Sequence, residues 1–251
     1  MNKICILTGC SGGLGSSIVE KFSLEGYKVI GIDIKEPNFK FQNFSFYKFD
    51  FNSSSIFKEK SKVLENLFSE NFKGDYSDSI LINNAATQIL KYIDETNFVD
   101  LVTSFNVNIF AALHMSKLFK KYSKGQRNII NIGSIHSNVS KKKFTGYAAS
   151  KAALEALSKS LSIEYADHNI TVQHVNPGAI MTDMLQEGFI GKEEKLKKLE
   201  NLIPAGYIPQ PQEFSEFIFE IAHIKSRYFT GSILEYDGGI SKLLNDTDNE
   251  L

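Results

Sequence analysis

Residues 3–22 read KICILTGCSGGLGSSIVEKF, and this stretch decides the architecture. Ile4 to Leu7 form a short apolar run of strand character. Gly9, Gly13 and Gly15 then stand where the chain must turn tightly, and Ile18, Phe22 and Leu24 open a helical period. Working outward, comparable runs recur at Lys28–Ile32, Ser79–Ile82, Asn128–Ile132, Thr171–Val175 and Ser232–Tyr236. Helical periods separate them, for example Leu154, Leu157, Leu161 and Tyr165. Strands alternating with helices build right-handed βαβ units, so the expected fold is α/β: a doubly wound parallel sheet in three α/β/α layers, one domain spanning residues 1–251. The aromatic-rich stretch Phe39–Phe51 fits a short buried strand packed in the core better than a ligand box.

Composition narrows the function classes. The 251 residues are 42% hydrophobic with a net charge of −1, enough for one sizeable core and without the charge that draws a chain to nucleic acid or an anionic membrane. The start MNKICILTG lacks a signal peptide's apolar region, and no run approaches the ~18 apolar residues of a membrane helix. Cys5 and Cys10 are too few for a disulfide framework, which points to a reducing compartment and a cytoplasmic location. Five histidines without ligand spacing, and no CxxC or HExxH, point to no metal.

The glycines in TGCSGGLG permit backbone angles and close approaches that a Cβ forbids. With side chains absent, a pyrophosphate can lie on backbone N–H groups at the helix N-terminus, where the dipole favours negative charge. The spacing is GxxxGxG rather than GxGxxG, so an ordinary tight turn is the competing reading. Asp33 changes the balance. It ends the second strand 20 residues beyond Gly13, where a carboxylate can accept hydrogen bonds from adenosine ribose hydroxyls. A 2′-phosphate would face like charge, costing several kcal/mol, so NAD is favoured over NADP. Gly12 before Gly13 and Ile34 after Asp33 offer no cation to that phosphate; Lys35 is the reservation, and a turn cap is the alternative role for Asp33.

GYAASKAALEALSKSLSIEYA begins a periodic helix with Tyr147 and Lys151 four residues apart on one face. A phenol with a pKa near 10 is a poor proton carrier at neutral pH, and a fixed ammonium lowers that pKa. Upstream, NIINIGS ends a strand at Ser134, whose hydroxyl can reach the same oxygen. Three polar groups thus converge.

Taken in order, TGxxxGxG at Thr8–Gly15, NNAA at Asn83–Ala86, Ser134, YxxxK, PGAIMT at Pro177–Thr182 and the ending FTGSILEYDGG at 229–239 resemble the short-chain dehydrogenase/reductase family over nearly the whole chain. That resemblance implies a Rossmann fold and hydride transfer between a nicotinamide cofactor and an alcohol or carbonyl carbon of a small molecule. It implies that Tyr147 exchanges the proton, Lys151 tunes it and holds the nicotinamide ribose, and Ser134 positions the reacting oxygen. Asn108, with Asn106 as a rival, matches the residue anchoring a water that leads protons to solvent. Gly9, Ser11, Gly13, Leu14 and Gly15 match the pyrophosphate turn, and Asp33 the ribose contact. Asp50 and Phe51 match the adenine surround, Asn84 and Ala85 the adenosine side, and Pro177, Gly178, Ile180 and Thr182 the nicotinamide side. A homo-oligomer, dimer or tetramer, is implied through the helices holding Asn108 and Tyr147. The chain departs from the family at Ala86, where glycine is usual, and at Gly133, where serine is common.

Substrate choice is least legible. Residues 183–210 loosen into MLQEGFI and KEEKLKKLE, which suit either a mobile helical lid or a solvated surface helix. Met181, Met184, Leu185, Phe189 and Ile190 would be the lid's apolar face, or core. Lys141, Lys142 and Lys143 either steer an anionic substrate or face water, and His136 is either a pocket residue or an ordinary loop histidine. The tail LLNDTDNEL is short, acidic and expected to fray.

Overall fold

A computed structural model describes residues 2–52 and 60–243. Its centre is a seven-stranded, all-parallel sheet: β1 (Asn2–Thr8), β2 (Lys28–Asp33), β3 (Phe44–Lys48), β4 (Tyr76–Asn83), β5 (Gln126–Ile132), β6 (Ile170–Pro177) and β7 (Ile233–Tyr236). Their spatial order is β3-β2-β1-β4-β5-β6-β7. The chain reverses its winding between β1 and β4, the switch point where doubly wound sheets open a ligand crevice at the carboxyl ends of the strands. The inner strands β1, β2 and β4 carry near-continuous apolar runs because both of their faces are covered.

One face of the sheet carries α1 (Gly13–Leu24) and α8 (Pro211–Ala222) over Ile18, Phe22, Ile80, Ile130 and Phe214. The opposite face carries α2 (Lys60–Asn71), α4 (Ala111–Tyr122) and α5 (Thr145–Glu164) over Ile6, Phe68, Leu81, Met115 and Leu161. Leu24 departs from the expected buried stripe of α1. It is 75% exposed, because a residue two places beyond buried Phe22 falls on the other side of the helix.

The aromatic stretch does contain a strand, β3, but it lies at the sheet edge rather than inside. Tyr47 and Lys48 are exposed, because β3 has a partner on one side only. The crossover from β2 to β3, residues 34–43, has no helix. Phe39 and Phe41 close the core there instead, packing beside Phe44 at ring-centroid distances of 5.7 and 5.4 Å from Phe39.

Helix α3 (Phe98–Phe105) continues through a π-helical segment, Asn106–Phe110, into α4. This 25-residue helical run has an apolar window of mean hydropathy 1.3, so by length and composition alone it is long and apolar enough to cross a membrane. Asn106, Asn108 and His114 interrupt its apolar character without adding charge, which is why the run escapes a count of consecutive apolar residues. Met115 and Phe119 of the same run are packed in the protein core. The acidic tail from residue 244 onward lies outside the described residues.

Candidate active site

The crevice is built first from glycines. Gly9 has φ +68°, and a Cβ there would sit 2.8 Å from the Ala85 backbone. A Cβ on Gly15 would sit 2.0 Å from the Gly9 carbonyl oxygen. Neither position has room for a side chain, so the turn stays open to close approach along its backbone. Gly12 is the N-cap of α1 and offers no side-chain hydrogen bond, and the first turn holds no acidic residue. The hydroxyls of Ser16 and Ser17 donate to the Gly13 and Leu14 carbonyls at 3.0 and 2.9 Å, leaving the leading N–H groups of α1 to an anion. A pyrophosphate fits this cradle.

Of the other residues expected at the cofactor, Asp33, Asn84, Ala85 and Thr182 lie against the glycine turn. The two Asp33 carboxylate oxygens accept from the Ser11 and Lys35 N–H groups at 2.9 and 3.1 Å, so the turn-cap role is real. Each oxygen keeps a second acceptor site, and a ribose hydroxyl can use it. Asn84 Nδ2 donates to the Gly9 carbonyl at 2.8 Å, while the Asn84 and Ala85 N–H groups donate to Thr8 Oγ1 at 3.1 and 3.0 Å. These bonds lash the loop after β4 to the glycine turn. Asp50 accepts from the Asn52 N–H at 2.8 Å beside buried Phe51. Beyond Pro177, Gly178 lies close to Asp237, Ile180 is buried, and Thr182 caps α6 (Asp183–Phe189) with its side chain 3.1 Å from where a Gly13 Cβ would be.

Ser134, Tyr147 and Lys151 meet where β5 ends against α5. The Ser134 hydroxyl accepts the His136 N–H at 3.2 Å and lies near enough to the Tyr147 phenol to lower its pKa. Lys151 is buried, with Nζ 5.7 Å from the Tyr147 ring centre and donating to the Ile132 carbonyl at 2.8 Å. Burial pushes the Tyr147 phenol above its ordinary value, and the Ser134 hydroxyl pulls it back in part. Desolvation brings Lys151 down to about 8. The expected depression of the phenol by Lys151 is therefore not the net effect in the protein alone, because desolvation of the phenol itself dominates.

Between the two candidate asparagines the geometry separates Asn108 from Asn106. Asn108 Nδ2 donates to Ser150 Oγ at 2.8 Å and to the Thr87 carbonyl at 3.1 Å, and its Oδ1 accepts the Thr87 N–H at 2.8 Å. It thus touches the residue before Lys151, whereas Asn106 reaches toward Asn52. His136 lies against Phe144 at 4.3 Å and Tyr147 at 6.2 Å between ring centres, beside the site rather than away from it. Lys141 and Lys143 rest on the Phe144 and Tyr92 rings at 4.5 and 4.7 Å. In the segment 183–210, α6 and α7 (Glu193–Leu202) leave Ile190 75% exposed, so it is no core residue. The Met184 side chain lies outside the described residues.

Sequence reading passes over three residues behind Ser134: His174, Asn176 and Glu155. The signal for His174 and Asn176 is a strand buried along its whole length that still spells ITVQHVNP. They also account for Gly133, where a Cβ would fall 2.2 Å from both Asn176 Oδ1 and His174 Nε2.

Known proteins share this sequence pattern and fold. The short chain dehydrogenase family model matches residues 3–192. The chain is 31% identical to 3-oxoacyl-[acyl-carrier-protein] reductase of Haemophilus influenzae over 244 residues, 95% of this chain and 98% of that one. Among solved structures, ligand-free aldohexose dehydrogenase of Thermoplasma acidophilum superposes with a TM-score of 0.87 at 26% identity, covering 99% and 98% of the two chains. 4-Hydroxyisoleucine dehydrogenase complexed with NADH gives 0.85 at 25% identity, covering 97% and 100%. The chain belongs to the short-chain dehydrogenase/reductase family, oxidoreductases that use a nicotinamide dinucleotide and act on CH–OH or carbonyl groups.

Proposed function

We propose that the protein interconverts a secondary alcohol and a ketone with NAD as redox partner, and that Ser134, Tyr147 and Lys151 carry the proton chemistry. The observation behind this reading is the convergence of a Ser134 hydroxyl on the Tyr147 phenol beside a buried Lys151. The dinucleotide, held by the glycine turn and Asp33, supplies or takes the hydride. Proton handling falls to the chain. Burial keeps Tyr147 protonated, the form that gives a proton to a carbonyl oxygen. Ser134 holds that oxygen in place. Lys151, still an ammonium at neutral pH with its pKa down to about 8, offsets the negative charge growing on the phenol as the proton leaves. Asn108, with its side-chain amide taken up by Thr87 and Ser150, supports the water path from Lys151 through its backbone.

Asp33 is what favours NAD, since a 2′-phosphate would approach a carboxylate already fixed by two N–H groups. Residues 183–210 act as the lid: Thr182 roots α6 on the glycine turn, and exposed Ile190 is free to cover an apolar substrate face. Cys5 and Cys10 are buried free thiols, which suits the cytoplasm.

The test is oxidation of NADH and of NADPH across a panel of ketones, aldoses and a 3-oxoacyl thioester. Efficiency with NADH at least tenfold above NADPH on a ketone or sugar supports the proposal. Equal efficiency contradicts the charge argument. Preference for the thioester with NADPH favours the second reading, a 3-oxoacyl thioester reductase, which the 31% identity to the Haemophilus influenzae enzyme keeps in play.

Phe98 and Val99 at the start of α3 and Ile163 near the end of α5 are 79%, 70% and 76% exposed. Such exposed apolar side chains on α3 and α5 support a contact surface, and a homo-oligomer, dimer or tetramer, joined through these helices is our assignment. Light scattering should return a mass two or four times that of one chain, and Ile163→Lys should lower it. A wild-type monomer would end this assignment.

A further inference from the structure

β6 is buried throughout, yet it carries His174 and Asn176 directly beneath the Ser134 loop. Asn176 Oδ1 accepts the Ser134 N–H at 3.0 Å. A backbone N–H can only donate, so this bond fixes the orientation of the amide. His174 Nε2, 2.9 Å from the same oxygen, must then carry its proton, leaving Nδ1 to accept from the Ser158 hydroxyl at 2.9 Å. The Asn176 Nδ2 group donates to Glu155 Oε2 at 3.1 Å and Glu235 Oε1 at 3.3 Å. Both lone pairs and both hydrogens of the amide are used.

The same two carboxylates hold the rest of the loop. Ser137 Oγ donates to Glu155 Oε2 at 3.1 Å, and Asn138 Nδ2 donates to Glu235 Oε1 at 3.3 Å. Glu155 stands four residues beyond Lys151 and eight beyond Tyr147 on α5, so it shares their helix face. The loop bearing Ser134, the helix bearing Tyr147 and Lys151, and β7 are therefore tied through one amide. Gly133 is the residue that leaves it space.

We infer that Asn176 is a positioning residue, a hub that fixes the Ser134 hydroxyl relative to Tyr147 by fastening the Ser134 loop to α5 and β7. This rests on the role proposed for Ser134. Displacement of a reacting group by about 1 Å costs roughly 10²-fold, so Asn176→Ala should lower kcat by ~10- to 100-fold on the best carbonyl substrate of the panel. KM and the NADH dissociation constant should stay within about twofold, since the hub touches neither the glycine turn nor Asp33. Hydrogen exchange in the segment 133–139 should rise at least ~10-fold as the Ser134 N–H loses its acceptor. Ser137→Ala/Asn138→Ala, which removes the two outer ties without opening a core cavity, should lower kcat several-fold in the same pattern; it decides the matter alone if Asn176→Ala does not fold.

Turnover within twofold of wild type, or an NADH affinity that falls in step with kcat, would overturn the inference. Ser134→Ala separates the two ideas. If it leaves kcat intact, the Ser134 role fails; if it abolishes turnover while Asn176→Ala does nothing, only the hub fails. The exchange measurement needs no substrate, so an unchanged rate in Asn176→Ala sinks the hub whatever the panel returns.

Discussion

Tyr147→Phe is expected to bind NADH as the wild type does while losing on the order of 10² or more in turnover. The substitution removes one oxygen and keeps the ring, which packs edge-on to His136 and Phe144 at 6.2 and 6.1 Å between ring centres, so the local fold has little reason to change. Ser134 loses the phenol but keeps the His136 N–H at 3.2 Å. Lys151 keeps the Ile132 carbonyl at 2.8 Å. What disappears is the hydroxyl that lies near both Ser134 and the buried ammonium. Steady-state kinetics with fluorescence titration of NADH decides it: turnover equal to wild type would remove Tyr147 from the chemistry, and a lost NADH affinity would show that the variant had disturbed the crevice instead.

The second large effect belongs to Gly15→Ala. A Cβ there would stand 2.0 Å from the Gly9 carbonyl oxygen and 2.8 Å from Cys10 Cα, both backbone atoms that cannot swing aside. Relief requires the turn itself to move, and overpacking of this kind costs about 1–3 kcal/mol. For a chain of this size each kcal/mol lowers Tm by roughly 2–4 °C. NADH affinity should fall at least ~10-fold, because the moved groups are those that would meet the pyrophosphate. Gly12→Ala is the control: nothing lies within 4 Å of its added carbon, and its φ of −79° suits any residue. Calorimetry and NADH titration of the pair should separate sharply. Identical behaviour of the two variants would mean that the turn is not the nucleotide cradle.

How much of this was legible in the sequence follows from the range of the forces. The strand, glycine turn and helix at 3–22 could be read directly, since glycine conformations and helical period act over a few residues. Tyr147 and Lys151 were legible for the same reason, four residues apart on one helix. Leu24 misleads because a short helix with apolar residues at Leu14, Ile18, Val19, Phe22 and Leu24 does not by composition reveal which of them faces the sheet. The edge position of β3 could not be read from Phe39–Phe51, since whether an aromatic strand is central or peripheral depends on which strands pair with it. Asn176 was invisible as a partner of Ser134: they are 42 residues apart in sequence and meet only because β5 and β6 are neighbours in the sheet. The pKa of Tyr147 was misjudged because charge proximity can be guessed from spacing, whereas the desolvation that dominates it depends on the packing of β5, α5 and the loop between them.

The double engagement of Asp33 bears on how such an enzyme can change its coenzyme. Converting it to accept a 2′-phosphorylated nucleotide by replacing Asp33 with a small or basic residue would also strip acceptors from the Ser11 and Lys35 N–H groups, 2.9 and 3.1 Å away. On the proposed NAD preference, selectivity and scaffolding would both rest on a single carboxylate. A successful switch must therefore rebuild the loop as it relaxes the preference, and single substitutions at this position should forfeit the old coenzyme before they gain the new one.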